Sequence, residues 1–240
     1  MKALLAVIAL LCIAPGAAAA TLEEDVQRYI AIFRQADAAA HNKAVEELAS
    51  MGLSDPRIYD PLEKRILAEH KAVEAERAEK DRVARYIRAL GFSGQEKYLP
   101  TLRSFLGNPV YERYAKDALQ QQPDYQRWNP IISSRASFDP QLSDDDNRVM
   151  NMLRSDDLML MRIAAKRVYF APNDQALAQI AEQVRKRYLQ SDPERVDAVA
   201  WLVKALGRTA AYDDLLQEVK ASAPDRKVRN AADSALRRKR

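Results

Sequence analysis

The sequence predicts an all-α protein in which about five to six antiparallel helical hairpins stack into an α-solenoid. Three observations support this. Apolar residues recur near the 3.6-residue period of a helix, Gly- or Pro-containing breaks separate short segments, and one helix–turn–helix phrase occurs twice, at residues 85–119 and 201–236. In both copies Ala-Leu-Gly ends a helix, a Tyr follows within seven residues, and the last helix ends in Ala-x-x-Ala-Leu. Recurrence of one phrase is typical of a repeat array.

Residues 1–20 are predicted to be a cleavable signal peptide. Lys2 gives a positive start, residues 3–14 are apolar, and three alanines at 18–20 form a small-residue cleavage site before Thr21. The only cysteine, Cys12, lies in the apolar run after Ala-Leu-Leu, which does not favour a lipid anchor. We therefore expect a periplasmic or secreted protein. The mature chain is expected to contain no transmembrane segment, because no later stretch approaches the length of a membrane span.

The first helices follow from their caps and breaks. Thr21 and Glu24 form a capping-box pattern that opens a helix over residues 21–38, and a second helix over 41–51 is closed by Gly52. Residues 62–90 contain no Gly or Pro, so they predict either one long helix or a hairpin; we favour a turn near residues 70–74. Residues 95–106 and 109–121 form the next hairpin.

Residues 122–145 are predicted to be an irregular loop. They contain three prolines and no helical period, and they are longer than an ordinary connection. Their aromatic residues, Tyr125, Trp128 and Phe138, either form an exposed recognition loop or cover the core where a hairpin is missing. This loop divides residues 21–121 from residues 146–240, and we expect both parts to belong to one continuous solenoid.

The C-terminal part returns to helical patterning. Ser143 and Asp146 predict a capping box, and further helices are predicted over residues 157–170, 175–190, 194–206, 212–221 and 226–236. Trp201 lies among apolar residues of its helix and is expected in the core. The last fifteen residues hold seven Lys and Arg against a single acidic residue, Asp233.

Several of these phrases resemble HEAT repeats. Residues 228–236, VRNAADSAL, are similar to the second-helix phrase of that family, and residues 161–165, MRIAA, are a looser copy. The resemblance implies a right-handed, armadillo-like superhelix whose concave wall comes from the second helix of each hairpin. Its exposed positions are candidates for binding a partner: Arg85, Arg88, Glu112, Lys116, Arg162, Lys166, Asp197, Lys204, Arg229 and Asp233. Tyr125 and Trp128 join them if the irregular loop is a recognition loop.

Catalytic and metal-binding patterns are not found in the sequence. The two histidines, His41 and His70, have no ligand-spaced partner, and the mature chain has no cysteine, so we expect neither a cofactor nor a metal. The acidic run at residues 144–147 fits helix capping better than a cation site. Removing Lys2 changes the formal charge from +4 to +3, which argues against a general nucleic-acid binder.

The leading hypothesis is a non-catalytic scaffold or adaptor that binds another protein through its concave surface. One alternative is an envelope protein that binds anionic lipid or lipopolysaccharide through its basic C-terminal tail, which ends in four Lys and Arg at residues 237–240. A second alternative is an accessory subunit of an envelope enzyme.

Overall fold

The computed structural model describes residues 21–35, 37–72, 76–190 and 192–238, and within these ranges all regular structure is helical. The predicted all-α class is confirmed. The predicted signal peptide with Cys12, and the last two residues of the basic tail, lie outside the described residues. The helices are α1 Leu22–Arg34, α2 Ala38–Leu48, α3 Pro56–Glu69, α4 Arg77–Phe92, α5 Leu99–Ser104, α6 Glu112–Ile132, α7 Asp144–Arg154, α8 Leu158–Phe170, α9 Asp174–Arg187, α10 Pro193–Leu206, α11 Asp213–Ser222 and α12 Arg226–Arg237.

Side-chain caps fix most of the helix starts. The predicted capping box is formed at Thr21, whose hydroxyl accepts from the Glu24 amide at 3.2 Å. Ser143 caps α7 in the same way, accepting from the Asp146 amide at 3.1 Å. The other helices that begin with a capping side chain use Asp or Asn, at Asp37, Asp55, Asp157, Asn173 and Asp225. These short acceptors satisfy backbone amides that have no partner inside the helix.

The described helices pack in neighbouring pairs. Within the described helices, the second members of the pairs also pack on one another in two runs, α2–α4–α6 and α8–α10–α12. The buried apolar side chains form one connected core that extends from Val26 in α1 to Ala235 in α12.

The two copies of the repeated phrase make equivalent contacts. Gly91 lies against Ala118 and Gly207 lies against Ala235; a Cβ on either glycine would come within 2.5 to 3.0 Å of that alanine. In both copies a short 3₁₀ turn ending at the Tyr leads into the next helix. Because a glycine facing an alanine removes most of the side-chain bulk, the paired helices can approach closely. The small residues of the repeat therefore set the spacing between second helices.

The predicted boundaries around α4 are partly correct. Gly91 was expected to end its helix, yet α4 continues to Phe92, since the glycine serves close packing there rather than termination. Of the two readings of residues 62–90, the hairpin is correct: α3 ends at Glu69 and α4 begins at Arg77, with the two helices packed together. Residues 73–75, between them in the sequence, lie outside the described residues.

The prediction of an irregular loop over residues 122–145 is wrong for its first half, because α6 continues to Ile132. Its two prolines, Pro123 and Pro130, are seven residues apart and both are exposed, so they share the solvent side of the helix. The opposite side is buried through Gln122, Tyr125, Trp128, Asn129 and Ile132. Tertiary packing therefore compensates for the hydrogen bonds that the prolines remove.

Three glycines form the surface on which α6 packs. Gly91 meets Ala118, Gly94 meets the backbone at Gln126, and Gly52 meets the Asn129 carbonyl. Gly94 and Gly52 have φ values of 67° and 69°, the left-handed region that favours glycine. This close approach brings the C-terminal half of α6 against the connection between α2 and α3.

The N-terminal hairpin also contacts residues far away in the chain. Asp25 of α1 is buried and pairs with Arg148 of α7 and, at 3.0 Å, with Arg135. Arg167 of α8 donates to the Ser50 hydroxyl at 2.7 Å. A strictly nearest-neighbour solenoid makes no contacts between residues more than one hundred positions apart. The described residues thus make contacts beyond those of the nearest-neighbour stack that the sequence predicts.

Candidate anion-binding face

The clearest concentration of functional chemistry lies on the surface where α8, α10 and α12 pack side by side. At its centre is Trp201 of α10, which is half-buried. The ammonium of Lys166, on α8, lies 4.9 Å from the indole centroid, and that of Lys204, on α10, lies 4.4 Å away. Two cations on one aromatic ring form a strongly positive site, because each cation–π contact holds its charge near the ring.

A second aromatic ring extends this site toward the ends of the helices. Tyr169 of α8 lies 6.0 Å from Trp201, with the two rings nearly perpendicular. The guanidinium carbons of Arg208 and Arg238 lie 5.5 and 5.4 Å from the Tyr169 centroid, and Arg238 also donates to the tyrosine hydroxyl. Next to Tyr169, Phe170 is 77% exposed.

At the opposite end of the same helices, one carboxylate joins two cations. Asp197 of α10 pairs with Arg162 of α8 and, at 2.6 Å, with Lys227 of α12. The hydrogen bond from Lys227, together with the charge of Arg162, lowers the pKa of Asp197. Asp197 is therefore ionised and fully engaged by these two partners.

The remaining cations of this surface lack counterions. Among the described residues, no carboxylate oxygen lies within 4 Å of Lys166, Lys204 or Arg208. Burial lowers the pKa of Lys166, and the charges of Arg162 and Lys204 lower it further, while the Asp197 carboxylate offsets part of this effect. The Lys166 ammonium is thus partly desolvated beside like charges, an unfavourable arrangement that a bound anion would relieve.

We define the cationic face as Arg162, Lys166, Lys204, Arg208, Lys227 and Arg238 with the rings of Trp201 and Tyr169. Between α10 and α12 the face contains a cleft of about 420 Å³, lined by Lys204, Arg226, Lys227, Asn230 and Ser234 among others. A cleft with three cationic and two neutral polar side chains can hold carboxylate or phosphate groups through charge-assisted hydrogen bonds.

The structure brings together four of the sequence-predicted partner residues: Arg162, Lys166, Asp197 and Lys204. Arg229 and Asp233 lie instead on the side of α12 that faces α11. Arg229 donates to the Ala223 and Pro224 carbonyls at 2.6 Å, and Asp233 pairs with Lys220 at 2.8 Å and with Arg237.

The four candidates in the N-terminal half lie apart from the cationic face. On α4, Arg85 pairs with Glu46, and Arg88 is positioned over the Phe92 ring at 6.0 Å. On α6, Glu112 and Lys116 pair with each other at 2.8 Å. Each of these four side chains therefore has a contact within the N-terminal half of the chain.

Tyr125 and Trp128 are buried, so the recognition-loop alternative is wrong for these two residues; they line the core as part of helix α6, whereas Phe138 is half-buried after that helix ends. Tyr125 and Trp128 are 5% and 4% exposed. The Tyr125 hydroxyl donates to the Ala49 carbonyl at 3.1 Å, and the Trp128 indole N–H donates to Asp157 at 2.7 Å. Burial raises the pKa of Tyr125. Both rings point toward the core because residues 122–132 are helical. The prolines of this segment had instead predicted a loop.

Sequence reasoning missed Trp201, Tyr169 and Arg208 as members of the face. Trp201 was expected in the core and is instead half-buried beneath two lysines. A signal was present in the spacing, because Arg162 contacts Asp197 and Lys166 contacts Trp201, each pair 35 residues apart. A comparison of the repeats position by position would have aligned these residues.

The acidic run at the start of α7 is engaged in structural contacts. Asp144 pairs with Arg135 at 3.0 Å, Asp145 with Arg148 at 3.1 Å, and Asp146 accepts from Asn173 at 2.8 Å. Across the described ranges, no group of three or more His, Cys, Asp or Glu side chains is arranged to hold a metal. None of the described helices combines the length and apolar character that crossing a bilayer requires.

The chain matches no protein-family profile, no curated protein and no solved structure.

Proposed function

We propose that this protein is a non-catalytic binding module of the cell envelope, a scaffold or adaptor whose cationic face holds an acidic segment of another protein. The single observation that carries the proposal is the group of cations around Trp201 that have no carboxylate partner. The HEAT-like phrases of the sequence support the same class, since stacked helical hairpins commonly present a binding surface. That support is by fold analogy alone.

The electrostatics explain why an acidic partner suits this face. Lys166, Lys204 and Arg208 contribute three positive charges, whereas the one described carboxylate of the face, Asp197, is already engaged by two cations. A carboxylate placed near Lys166 and Lys204 would gain two favourable interactions and remove part of their mutual repulsion. Complementarity of this kind accelerates association and selects against cationic partners.

The shape of the face favours a peptide chain over a flat surface. Lys204 and Lys227 line a cleft between α10 and α12, and Trp201 is half-buried between neighbouring helices. Side chains of a peptide can enter such a cleft, while the headgroup plane of a bilayer reaches only the residues that protrude. Trp and Arg at a recessed centre are also typical of binding hot spots.

The test is a titration with a hexaglutamate peptide, followed by calorimetry and by NMR of the indole N–H groups. The wild-type chain is compared with the double variant Lys166→Glu/Lys204→Glu and with Lys186→Glu, which reverses an exposed lysine on α9. We expect wild type and Lys186→Glu to bind equally, and the double variant to bind at least about tenfold more weakly, because two attractive charges become repulsive. Raising the salt concentration should weaken binding by wild type.

Equal binding by all three proteins would refute the proposal, since the peptide would then use another surface. Absence of binding by the wild-type chain at low salt would refute it as well. The indole resonance of Trp201 provides the local readout, because it should shift on binding only when the peptide occupies the cationic face.

Anionic lipid is the second candidate, and one observation favours it. Phe170 is 77% exposed beside Tyr169, whose ring contacts Arg208 and Arg238. An exposed aromatic ring next to arginines is suited to a negatively charged membrane interface. Flotation with phosphatidylglycerol vesicles tests this directly. Vesicle binding that is lost in Phe170→Ser but kept in Lys166→Glu/Lys204→Glu would favour lipid over an acidic protein.

A further inference from the structure

The run of second helices is interrupted once. Within the described helices, α2, α4 and α6 pack in sequence, and so do α8, α10 and α12, but α6 and α8 pack on each other much less extensively. Between them lies an open cleft of about 310 Å³. It adjoins the cationic face, because Arg162 belongs to both.

Half of the residues that line the cleft are apolar. Trp128 and Tyr125 of α6, both nearly fully buried, lie on one side, and Met159 and Ile163 of α8 form the opposite wall. The other lining residues, Gln120, Gln121, Asp124 and Arg162, are polar. Met159 is 48% exposed, which makes it one of the few large apolar side chains of the described chain that water reaches. The acidic residue at the rim, Asp124, is neutralised by Arg127 at 2.6 Å.

Two features hold the cleft open. The Trp128 indole donates a hydrogen bond to Asp157, the N-cap of α8. This polar contact, rather than packed apolar side chains, positions the start of α8 relative to α6. The Tyr125 ring packs on Phe92 at 4.9 Å between centroids, and its hydroxyl is held by the Ala49 carbonyl, so it cannot swing out to fill the space. The cleft is therefore a preformed apolar site with a polar rim.

We propose that this α6–α8 cleft binds one large apolar side chain of the acidic segment whose carboxylates lie on the cationic face. The inference rests on the proposed function and specifies the class of partner: an acidic peptide with a single aromatic or long aliphatic residue at one end of its acidic run. Arg162 lies between the α6–α8 cleft and the cationic face, and it orients the peptide that runs from one to the other. Charge on the face supplies attraction over distance, and the cleft supplies register and short-range affinity.

Three peptides test this: hexaglutamate, hexaglutamate with phenylalanine at its N-terminus, and hexaglutamate with phenylalanine at its C-terminus. We expect one of the two phenylalanine peptides to bind roughly tenfold more tightly than hexaglutamate, the factor that partial burial of an aromatic side chain provides. The chain contains two tryptophans. Hexaglutamate should shift the indole resonance of Trp201 alone, whereas the anchored peptide should also shift that of Trp128.

Variants of Met159 test whether the tighter binding of the phenylalanine peptide comes from the cleft. Met159→Gln makes the wall polar without adding charge and should abolish the tenfold advantage, while Met159→Leu keeps the wall apolar and should preserve it. Leu189→Gln is the matched control, since Leu189 is 60% exposed and lies outside both the cleft and the cationic face. All three substitutions are at solvent-accessible positions and should leave binding of plain hexaglutamate unchanged.

Each outcome decides the proposal. An advantage that is lost only in Met159→Gln supports the cleft. Equal binding of all peptides by the wild-type chain overturns the cleft while leaving the proposed function standing, and an advantage that survives Met159→Gln overturns it by placing the aromatic side chain elsewhere. If no peptide binds at all, the cleft and the proposed function fall together.

Discussion

The contact that closes the N-terminal hairpin onto α7 can be broken by one substitution. Asp25 and Arg148 are 4% and 2% exposed, and they face each other across 123 residues of sequence. Replacing Asp25 by Ala leaves the Arg148 guanidinium buried with one remaining carboxylate partner, Asp145, which is itself 61% exposed. An uncompensated buried charge is expensive, because water no longer solvates it.

The two single substitutions should lower the free energy of unfolding by different amounts. Asp25→Ala should lower the free energy of unfolding by about 3–5 kcal/mol, the range for a buried pair that loses one partner. Arg148→Met should lower it by only about 1.5–3 kcal/mol, since Asp25 keeps Arg135 at 3.0 Å and loses one charge-assisted hydrogen bond. The double variant should be more stable than the sum of the two losses predicts, because neither residue is then left as an unpaired buried charge.

Urea denaturation at pH 7, followed by far-ultraviolet circular dichroism, measures these differences. The control is Glu23→Gln, on the same helix, where Glu23 pairs with Arg57 at 2.7 Å and both side chains are about half exposed. Its cost should stay below about 1 kcal/mol, because water solvates both charges. If Asp25→Ala costs no more than this control, α1 is not docked on α7, and the nearest-neighbour stack expected from the sequence is the better description.

Two further predictions concern the packing of α6 and the response to pH. Gly94→Ala should destabilise the protein by about 2 kcal/mol more than Gly107→Ala. Both glycines have left-handed backbones, but only a Cβ at Gly94 would contact α6, at 2.6 Å from the Gln126 amide nitrogen. The urea denaturation midpoints of the two variants measure the difference, and equal losses of stability would show that α6 does not approach Gly94. His41 is buried, with one ring nitrogen 2.6 Å from the Tyr86 hydroxyl, and burial lowers the pKa of His41. Below about pH 6.5 the histidine therefore binds a proton in the unfolded chain more readily than in the folded chain. As the pH decreases, the free energy of unfolding should decrease by at most about 1.4 kcal/mol per pH unit. The His41→Gln variant should lose this component of the pH dependence. Identical pH profiles for wild type and His41→Gln would contradict the buried, neutral histidine.

Local signals in the sequence were sufficient for much of the secondary structure. The cap at Thr21 and the cap at Ser143 depend on residues close together in the chain, and both are formed. The repeated Ala-Leu-Gly phrase likewise marked real positions of close helix contact. Such features can be read from sequence because a few neighbouring residues determine their energies.

The interpretation of residues 122–132 failed for the opposite reason. Two prolines lower the intrinsic helix propensity of this segment, and the compensating contacts come from Gly52, Gly91 and Gly94, which are distant in the sequence. The same holds for Trp201. Its apolar neighbours in the sequence suggested a core position, whereas the lysine from α8 that covers it is 35 residues away.

The sequence by itself determined the helical class, the caps and breaks, the small residues that space the second helices, and the surplus of basic residues in the C-terminal part, because each depends on composition or on local periodicity. Only the tertiary structure decided that α6 continues through two prolines, that Asp25 reaches Arg148, and that unpaired cations gather around Trp201 beside an apolar cleft. These are contacts between residues tens to more than one hundred positions apart. Their energies depend on how whole helices pack, and no local pattern encodes that packing.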